Sequence, residues 1–128
     1  MKSIESILFS LESKCRMMIS APAPKEKFIE ISSRYHFQFE VIKKLYEITD
    51  GVEIDVPGTV LYPIEKIISL NKGKSSKDLL EIGVMNFGDL IFVNDEGKIV
   101  QIEHETGEVF LEWNTLADFL NDELNALE

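Results

Sequence analysis

The residues with the chemistry for acid–base catalysis are those of the segment EHE, residues 103 to 105. A histidine between two carboxylates can accept and donate protons near neutral pH. The segment follows an alternating run, however, and successive side chains of a β-strand point to opposite faces. We therefore predict that Glu103 and Glu105 lie on one face, and that His104 lies on the other, hydrogen-bonded in the core beside Val100 and Ile102. Such an arrangement provides no shared catalytic site.

A second acidic segment, DGVEID at residues 50 to 55, offers the carboxylates of Asp50, Glu53 and Asp55. Its spacing differs from that of an EF-hand calcium loop, in which a glycine follows three alternating oxygen ligands. The other candidate ligands are isolated, because His36 has no recognisable partner and Cys15 falls on the apolar face of a predicted helix. The chain has no glycine-rich phosphate motif and no Cys/His spacing typical of a metal site. The sequence therefore predicts no catalytic residue, no metal and no cofactor.

The charge of the chain is unevenly distributed. The 128 residues carry a net charge of −10, but residues 1 to 80 are almost balanced, whereas residues 81 to 128 contain Lys98 against 12 acidic residues. A negative field of this kind repels nucleic acids and anionic membranes and attracts basic proteins. Solubility alone is the alternative explanation. Charged residues interrupt the apolar N-terminus, which predicts neither an export signal nor a membrane anchor. The single cysteine, Cys15, cannot form an internal disulfide, which fits a reducing compartment such as the cytoplasm.

Helices are predicted in the first part of the chain. Ser3 is a candidate N-cap, and apolar residues then recur at helical spacing over residues 4 to 19. The APAP segment ends this helix, a second helix follows over residues 25 to 35, and a third begins at Glu40. Gly51 is predicted to end the third helix in a left-handed C′ conformation. The segment HFQF, which contains His36, joins the last two helices.

After Gly51 the pattern changes to short strands and turns, including IEKIISL at residues 64 to 70. Strands are predicted near residues 82–87, 89–94, 98–105 and 108–113, with a type I turn at NDEG that places Gly97 at positive φ. A final helix, capped by Asn114 or Thr115, would bury Leu116, Phe119, Leu120 and Leu124. The sequence thus predicts one α+β domain over residues 1–128, with a mixed, largely antiparallel sheet between N-terminal helices and a C-terminal helix.

Glutamates dominate the last predicted hairpin. If Thr106 and Gly107 form a two-residue turn, Glu105 lies opposite Glu108, and Gln101 lies opposite Glu112, on the face away from Val109, Leu111 and Trp113. Like charges that face each other across a sheet are destabilising. Either the charges prevent aggregation at a sheet edge, or the face is built for a basic partner. Trp113 is predicted to be a core residue rather than an exposed anchor.

The order of these segments resembles the SUKH superfamily, which is named partly after yeast regulators of cell-wall synthesis. The resemblance covers about residues 24 to 126 and rests on LYEITDGVEI, TVLYPIEKI, the run from Ile82 to Trp113 that contains GDLIFVND, and the closing TLADFL. The chain departs from the family pattern at FQFE, residues 37 to 40, where relatives often have Leu-Pro. The resemblance implies an α+β fold and no catalytic activity.

Bacterial members of that superfamily are mainly immunity proteins that bind and neutralise a cognate toxin, often a nuclease. The resemblance therefore implies a non-enzymatic immunity protein whose partner is a basic toxin domain. The acidic residues are the predicted partner-binding residues: Asp50, Glu53, Asp55, Glu103, Glu105, Glu108 and Glu112. The alternative is a regulatory scaffold with a cellular client, as in the yeast relatives.

Overall fold

A computed structural model describes residues 3–14, 17–54, 58–73 and 78–125. Within these ranges the chain forms four helices and seven strands. In chain order they are α1 (Ile4–Lys14), β1 (Met17–Ile19), α2 (Lys25–Tyr46), β2 (Val52–Ile54), β3 (Thr59–Leu61), α3 (Ile64–Asn71), β4 (Leu80–Met85), β5 (Leu90–Val93), β6 (Ile99–Ile102), β7 (Val109–Trp113) and α4 (Leu116–Asn125).

All seven strands belong to one sheet, and their order in space is their order in the chain. Each described pairing is antiparallel. Helices α2 and α3 lie in the connections between β1 and β2 and between β3 and β4, while the later strands follow one another through turns. The predicted α+β class, with a largely antiparallel sheet and helices at both ends of the chain, is confirmed.

The helices share one hydrophobic core with one face of the sheet. This core contains buried side chains from every helix, including Leu11, Ile42, Ile67 and Leu120, together with alternate residues of the strands. Burial of apolar surface is the main stabilising contribution to such a fold. We call the opposite face of the sheet the outer face.

The N-terminal helix is shorter than predicted. Ser3 caps it as expected, because its Oγ accepts a hydrogen bond from the amide of Ser6 at 3.1 Å. The helix ends at Lys14, and Met18, predicted to lie on its apolar stripe, belongs to β1 instead. Pairing with β2 satisfies the backbone of this segment and overrides its helical periodicity. Cys15 lies outside the described residues.

The two predicted middle helices form one element, α2, with a break close to where their joint is predicted. Helix α2 has a kink at Tyr35, whose φ of −125° and ψ of 50° are not helical, directly before the predicted HFQF joint. His36 is exposed. The helix ends at Tyr46, so the predicted role of Gly51 as its C′ residue is wrong. Gly51 instead has φ +88° beside β3, where an added Cβ would lie 2.7 Å from the carbonyl oxygen of Leu61.

The segment IEKIISL forms helix α3, which corrects the prediction of strand or turn. Its β-branched residues favour strands in isolation. In the fold, Ile64 and Ile67 are buried on one helical face, and Asn71 connects the helix to β4 by donating to the carbonyl of Glu81 and accepting from its amide. Long-range contacts therefore decide the conformation of this segment.

The NDEG turn and the C-terminal helix follow the prediction closely. At NDEG the amide of Gly97 donates to the carbonyl of Asn94 and Gly97 has φ +82°, which confirms the predicted turn. Thr115 caps α4 through a 3.0 Å bond from the amide of Asp118. The four predicted core residues of α4 are buried, namely Leu116, Phe119, Leu120 and Leu124. Trp113 is half-buried, packs edge-on against Phe119 and donates to Asp122.

Candidate protein-binding surface

One row of cross-strand partners crosses the whole outer face. Residues that pair directly across antiparallel strands point to the same side of a sheet. Following the pairs from β1 to β7 gives a set that we call the outer row: Met18, Glu53, Val60, Val84, Leu90, Ile102 and Val109. With strands about 4.8 Å apart, the row is about 29 Å long.

The outer row is largely apolar, and its exposure varies along its length. Met18, Glu53 and Val109 are exposed, whereas the four residues between Glu53 and Val109 are half-buried, and Val60 and Val84 also pack against the core. Six of its seven side chains are hydrophobic, and none of the seven is buried. Exposure is greatest at the two ends, where Met18 is 64% exposed and Val109 is 54% exposed. Exposed apolar side chains that share one face of a folded protein are typical of an interaction site. A second outer-face set lies beside it, in which buried Phe92 and Val100 are flanked by Glu81 and Glu112.

The hairpin between β6 and β7 differs from the prediction. Strand β6 ends at Ile102, and the amide of Glu103 donates to the carbonyl of Glu108 at 2.9 Å. A shift in register then places Gln101 opposite Leu111 and leaves Phe110 as an extra residue. The two-residue turn and the predicted pairing of Glu105 with Glu108 are therefore wrong, because residues 104 to 107 form a longer turn. We call residues 103 to 108 the acidic hairpin.

His104 is held in this turn by Asp89. The buried Asp89 lies just before β5, and its Oδ1 accepts from the backbone amide of His104 at 3.1 Å and contacts the histidine Nδ1 at 2.7 Å. Its Oδ2 accepts from the buried amide of Gln101 at 2.8 Å. The side chain of His104 is 43% exposed, so it is hydrogen-bonded as predicted but is not in the core. The strand ends before His104 because the turn satisfies its backbone.

The contacts in this turn shift the pKa values of Asp89, Glu103 and His104. The hydrogen bond with Asp89 raises the pKa of His104, and the same bond lowers the pKa of Asp89, assisted by Gln101. The backbone amide of Thr106, which donates to Glu103, lowers the pKa of that carboxyl. Each shift favours the charged form, because hydrogen bonds and opposite charges stabilise ions more than neutral groups.

Asp89, Glu103 and His104 bring three potential metal-ligand atoms within 4.8 Å of one another. The prediction that Glu103 and His104 point apart is therefore wrong, since the turn places Glu103 Oε1 at 3.7 Å from the histidine Nδ1. The carboxylates are nevertheless already engaged, because Glu103 Oε2 accepts the amides of Glu105 and Thr106 and both oxygens of Asp89 accept hydrogen bonds. We assign these groups to stabilising the turn.

The predicted partner-binding residues occupy separate places. Asp50 accepts a hydrogen bond from the amide of Ile64 at 2.8 Å and caps α3, so its carboxylate has a structural role. Glu53 lies in the outer row on β2, five strands from Glu112 on β7, or about 24 Å. Asp55 lies outside the described residues. The fold thus does not bring the DGVEID segment and the acidic hairpin together into one cluster.

The acidic hairpin and the first two residues of β7 line an open cleft of about 330 Å³. Three carboxylates and two apolar side chains contribute to its lining, which consists of Glu103, Glu105, Thr106, Glu108, Val109 and Phe110. Glu105 and Glu108 are exposed, and Phe110 is 64% exposed. The end of the outer row at Val109 therefore continues directly into acidic surface.

Sequence reasoning missed the outer row and Asp89. One signal was present, because LIFV at residues 90–93 and VFLEW at 109–113 have successive apolar residues, which indicates strands that are apolar on both faces. Asp89 belongs to the segment GDLIFVND that carries the resemblance, but no local pattern could give it a role, since its partners are 12 and 15 residues away.

No protein-family model and no curated protein matches this chain. The resemblance to the SUKH superfamily therefore stays a prediction. In the part of the chain that the structure describes, none of the helices has both the length and the hydrophobicity required to cross a membrane.

Proposed function

We propose that this protein is a non-enzymatic, cytoplasmic immunity protein that binds and neutralises a basic toxin domain of a bacterial polymorphic or contact-dependent toxin system. The toxin would be of the nuclease type, because nucleases need positive charge to hold phosphate backbones. Neutralisation would follow from covering the toxin's substrate site. The SUKH resemblance supplies the biological class, and the surface described above supplies the physical argument.

The outer row is the observation that carries the proposal. Its side chains share one face of the sheet and form a strip across the seven strands, apolar except at Glu53 and most exposed at Met18 and Val109. Protein interfaces typically combine an apolar centre with a polar rim. Here Glu53 lies within the row near one end, and the acidic hairpin borders the other end at Val109.

Charge supports a basic partner. Between residues 81 and 128, Lys98 is the only Lys or Arg, against 12 acidic residues. Complementary charge accelerates the encounter of two proteins and fixes their orientation, while the apolar strip contributes affinity. A nucleic acid or an anionic membrane would be repelled by the same surface.

The histidine–carboxylate cluster has a structural role that the proposal uses. Both oxygens of Asp89 and one oxygen of Glu103 accept hydrogen bonds from Gln101, His104 and Thr106. These bonds hold the acidic hairpin in one conformation, in which Glu105 and Glu108 remain exposed to a partner.

The proposal is tested by capturing the partner and measuring protection. The tagged protein is used to capture proteins from its own cells, bound proteins are eluted with a salt gradient, and each is identified by mass spectrometry. We expect one basic protein that elutes at high salt and whose expression kills or arrests cells. Co-expression of the chain should restore growth.

Two pairs of variants connect that result to the surface. The substitutions Met18→Lys and Val109→Lys place positive charge at both ends of the outer row and should abolish protection. Phe9→Lys and Ile29→Lys alter side chains of α1 and α2 that are 74% and 75% exposed, and should retain it. Capture of several housekeeping proteins, none of them toxic, would contradict the immunity role and favour a regulatory scaffold.

A further inference from the structure

Strand β7 leaves one edge of the sheet open. It pairs with β6 on one side, and among the described residues no strand pairs with its other side. Every second backbone amide and carbonyl of such a strand points away from the sheet and can accept another strand.

The side chains of β7 are exposed on both of its faces. Val109 is on the outer face, while Leu111, opposite Gln101, points to the helix side and is still 47% exposed. Phe110 is the extra residue at the register shift and is 64% exposed. Neither face of this strand is covered by the helices over its first four residues. Three consecutive exposed apolar residues at a sheet edge favour association.

The two edges of the sheet differ in size. The other edge is β1, which has three residues, whereas β7 has five. Short edge strands offer few hydrogen bonds to an additional strand. Strand β7 is therefore the better template.

We propose that the open edge of β7 accepts an extended, basic strand of the partner protein, which extends the sheet by one antiparallel or parallel strand. This inference rests on the proposed function for the identity of the partner. Main-chain hydrogen bonds would hold the strand, and its alternate side chains would contact the outer face and the helix side.

Charge selects a basic strand over a second copy of this chain. No Lys or Arg occurs between residues 99 and 128, whereas Glu103, Glu105, Glu108 and Glu112 surround or belong to β7. Pairing two copies along β7 would bring these carboxylates near the acidic residues of the other copy. A strand that alternates basic and apolar residues places cations beside the same carboxylates, and the 330 Å³ cleft at the acidic hairpin has room for a lysine or arginine side chain.

The test uses a synthetic ten-residue peptide that alternates lysine and valine, and a matched peptide of equal charge with proline in place of the two central valines. Proline cannot donate to a strand pairing. We expect the alternating peptide to slow amide hydrogen exchange at residues 109 to 113, and to bind at least about tenfold more tightly than the proline peptide. Equal binding of both peptides, or protection confined to other strands, would overturn the proposal.

A variant pair supplies the control. Phe110→Lys adds a positive charge to the edge, which repels the lysines of the alternating peptide and should weaken its binding about tenfold or more. Phe9→Lys makes the same change on α1 and should leave binding unchanged. Circular dichroism confirms that both variants fold. A concentration-dependent dimer that Phe110→Lys abolishes, with no peptide protection of β7, would assign the edge to a second copy and overturn the proposal.

The same variants separate this inference from the proposed function. If a toxic basic partner is captured but its complex leaves the β7 amides unprotected and tolerates Phe110→Lys, strand addition is wrong and the immunity role stands. If the peptide protects β7 and no toxic partner exists, strand addition stands and the immunity role is wrong.

Discussion

At the scale of residues, Asp89 is the residue that holds the acidic hairpin against the sheet. It receives hydrogen bonds from Gln101 and from both the backbone and the side chain of His104. Negative charge from Glu103 and Glu105 adds to the effect of Asp89 on the histidine. The acidic hairpin is thus held in place by the buried carboxylate of Asp89, which is not part of the exposed surface.

We predict that Asp89→Asn lowers the pKa of His104 towards its ordinary value of 6.5, because the first cause of the shift is the bond with Asp89. A histidine whose pKa is raised in the folded protein stabilises the fold. This stabilisation is fully present below pH 6.5 and is lost as the pH rises through the shifted pKa. A lowered aspartate pKa stabilises the fold above its ordinary 3.8 and is lost at lower pH. The variant should therefore be least stable relative to the parent between these two ordinary values.

Titration of the histidine ring protons by NMR measures the first effect, and urea unfolding at several pH values measures the second. Glu105→Gln is the control, since its carboxylate lies 3.9 Å from the histidine Nε2 and is the last of the causes that raise the pKa. A larger drop in the pKa of His104 from Glu105→Gln than from Asp89→Asn would contradict this assignment.

At the scale of elements, the structure separates what local sequence determines from what distant contacts determine. Helix α4 was predictable because its cap, its apolar spacing and its burial agree. Strand β1 and helix α3 were not. Met18 continues the apolar periodicity of α1 but pairs with Glu53 of β2 instead, and the isoleucines of α3 favour strand until its ends are fixed by residues elsewhere in the chain.

The candidate surface was predictable only in part. The excess of glutamates in the last hairpin could be read from the sequence, but their pairing could not, because the register shift at Phe110 has no local signal. The outer row combines one residue from each strand, so it exists only once the order of the strands is known.

Asp50 provides a direct test of how α3 is fixed. Its Oδ1 accepts the amide of Ile64, one of the amides at the start of a helix that has no partner within the helix. Asp50→Ala should lower the free energy of unfolding by about 1 kcal/mol. Asp50→Asn retains an acceptor oxygen and should cost much less.

Urea unfolding of both variants gives the comparison. An equal loss in the two would mean that the negative charge near the helix N-terminus, and not the hydrogen bond, supplies the stabilisation. Because Asp50 was also a predicted partner-binding residue, the asparagine variant further shows whether its charge contributes to binding once stability is matched.

At the scale of the whole molecule, the apolar outer row and the acidic hairpin have different roles in binding. The row supplies area that is removed from water and so affects how long a complex persists. The hairpin supplies an electric field that acts before contact and affects how often partners meet. The two contributions are therefore separable by kinetics.

We predict that the double variant Glu105→Lys, Glu108→Lys slows association with the captured basic partner about tenfold at low salt and makes the rate less dependent on salt. Glu103 is left unchanged because its carboxylate holds the turn. The control is Glu26→Lys, Glu40→Lys, which makes the same change of net charge at exposed positions of α2. Stopped-flow mixing over a range of salt concentrations gives both rates.

If the two double variants slow association equally, only net charge matters and the hairpin is not the side that faces the partner. If the hairpin variant alone is slow while the dissociation rate is unchanged, the partner is steered to the β7 side of the sheet before it contacts the outer row. In that case Met18→Lys and Val109→Lys should show the opposite behaviour, with faster dissociation and a smaller effect on association. Such a result, with association changed by the hairpin variant and dissociation changed by the row variants, would locate the electrostatic and the apolar contributions on different parts of one surface.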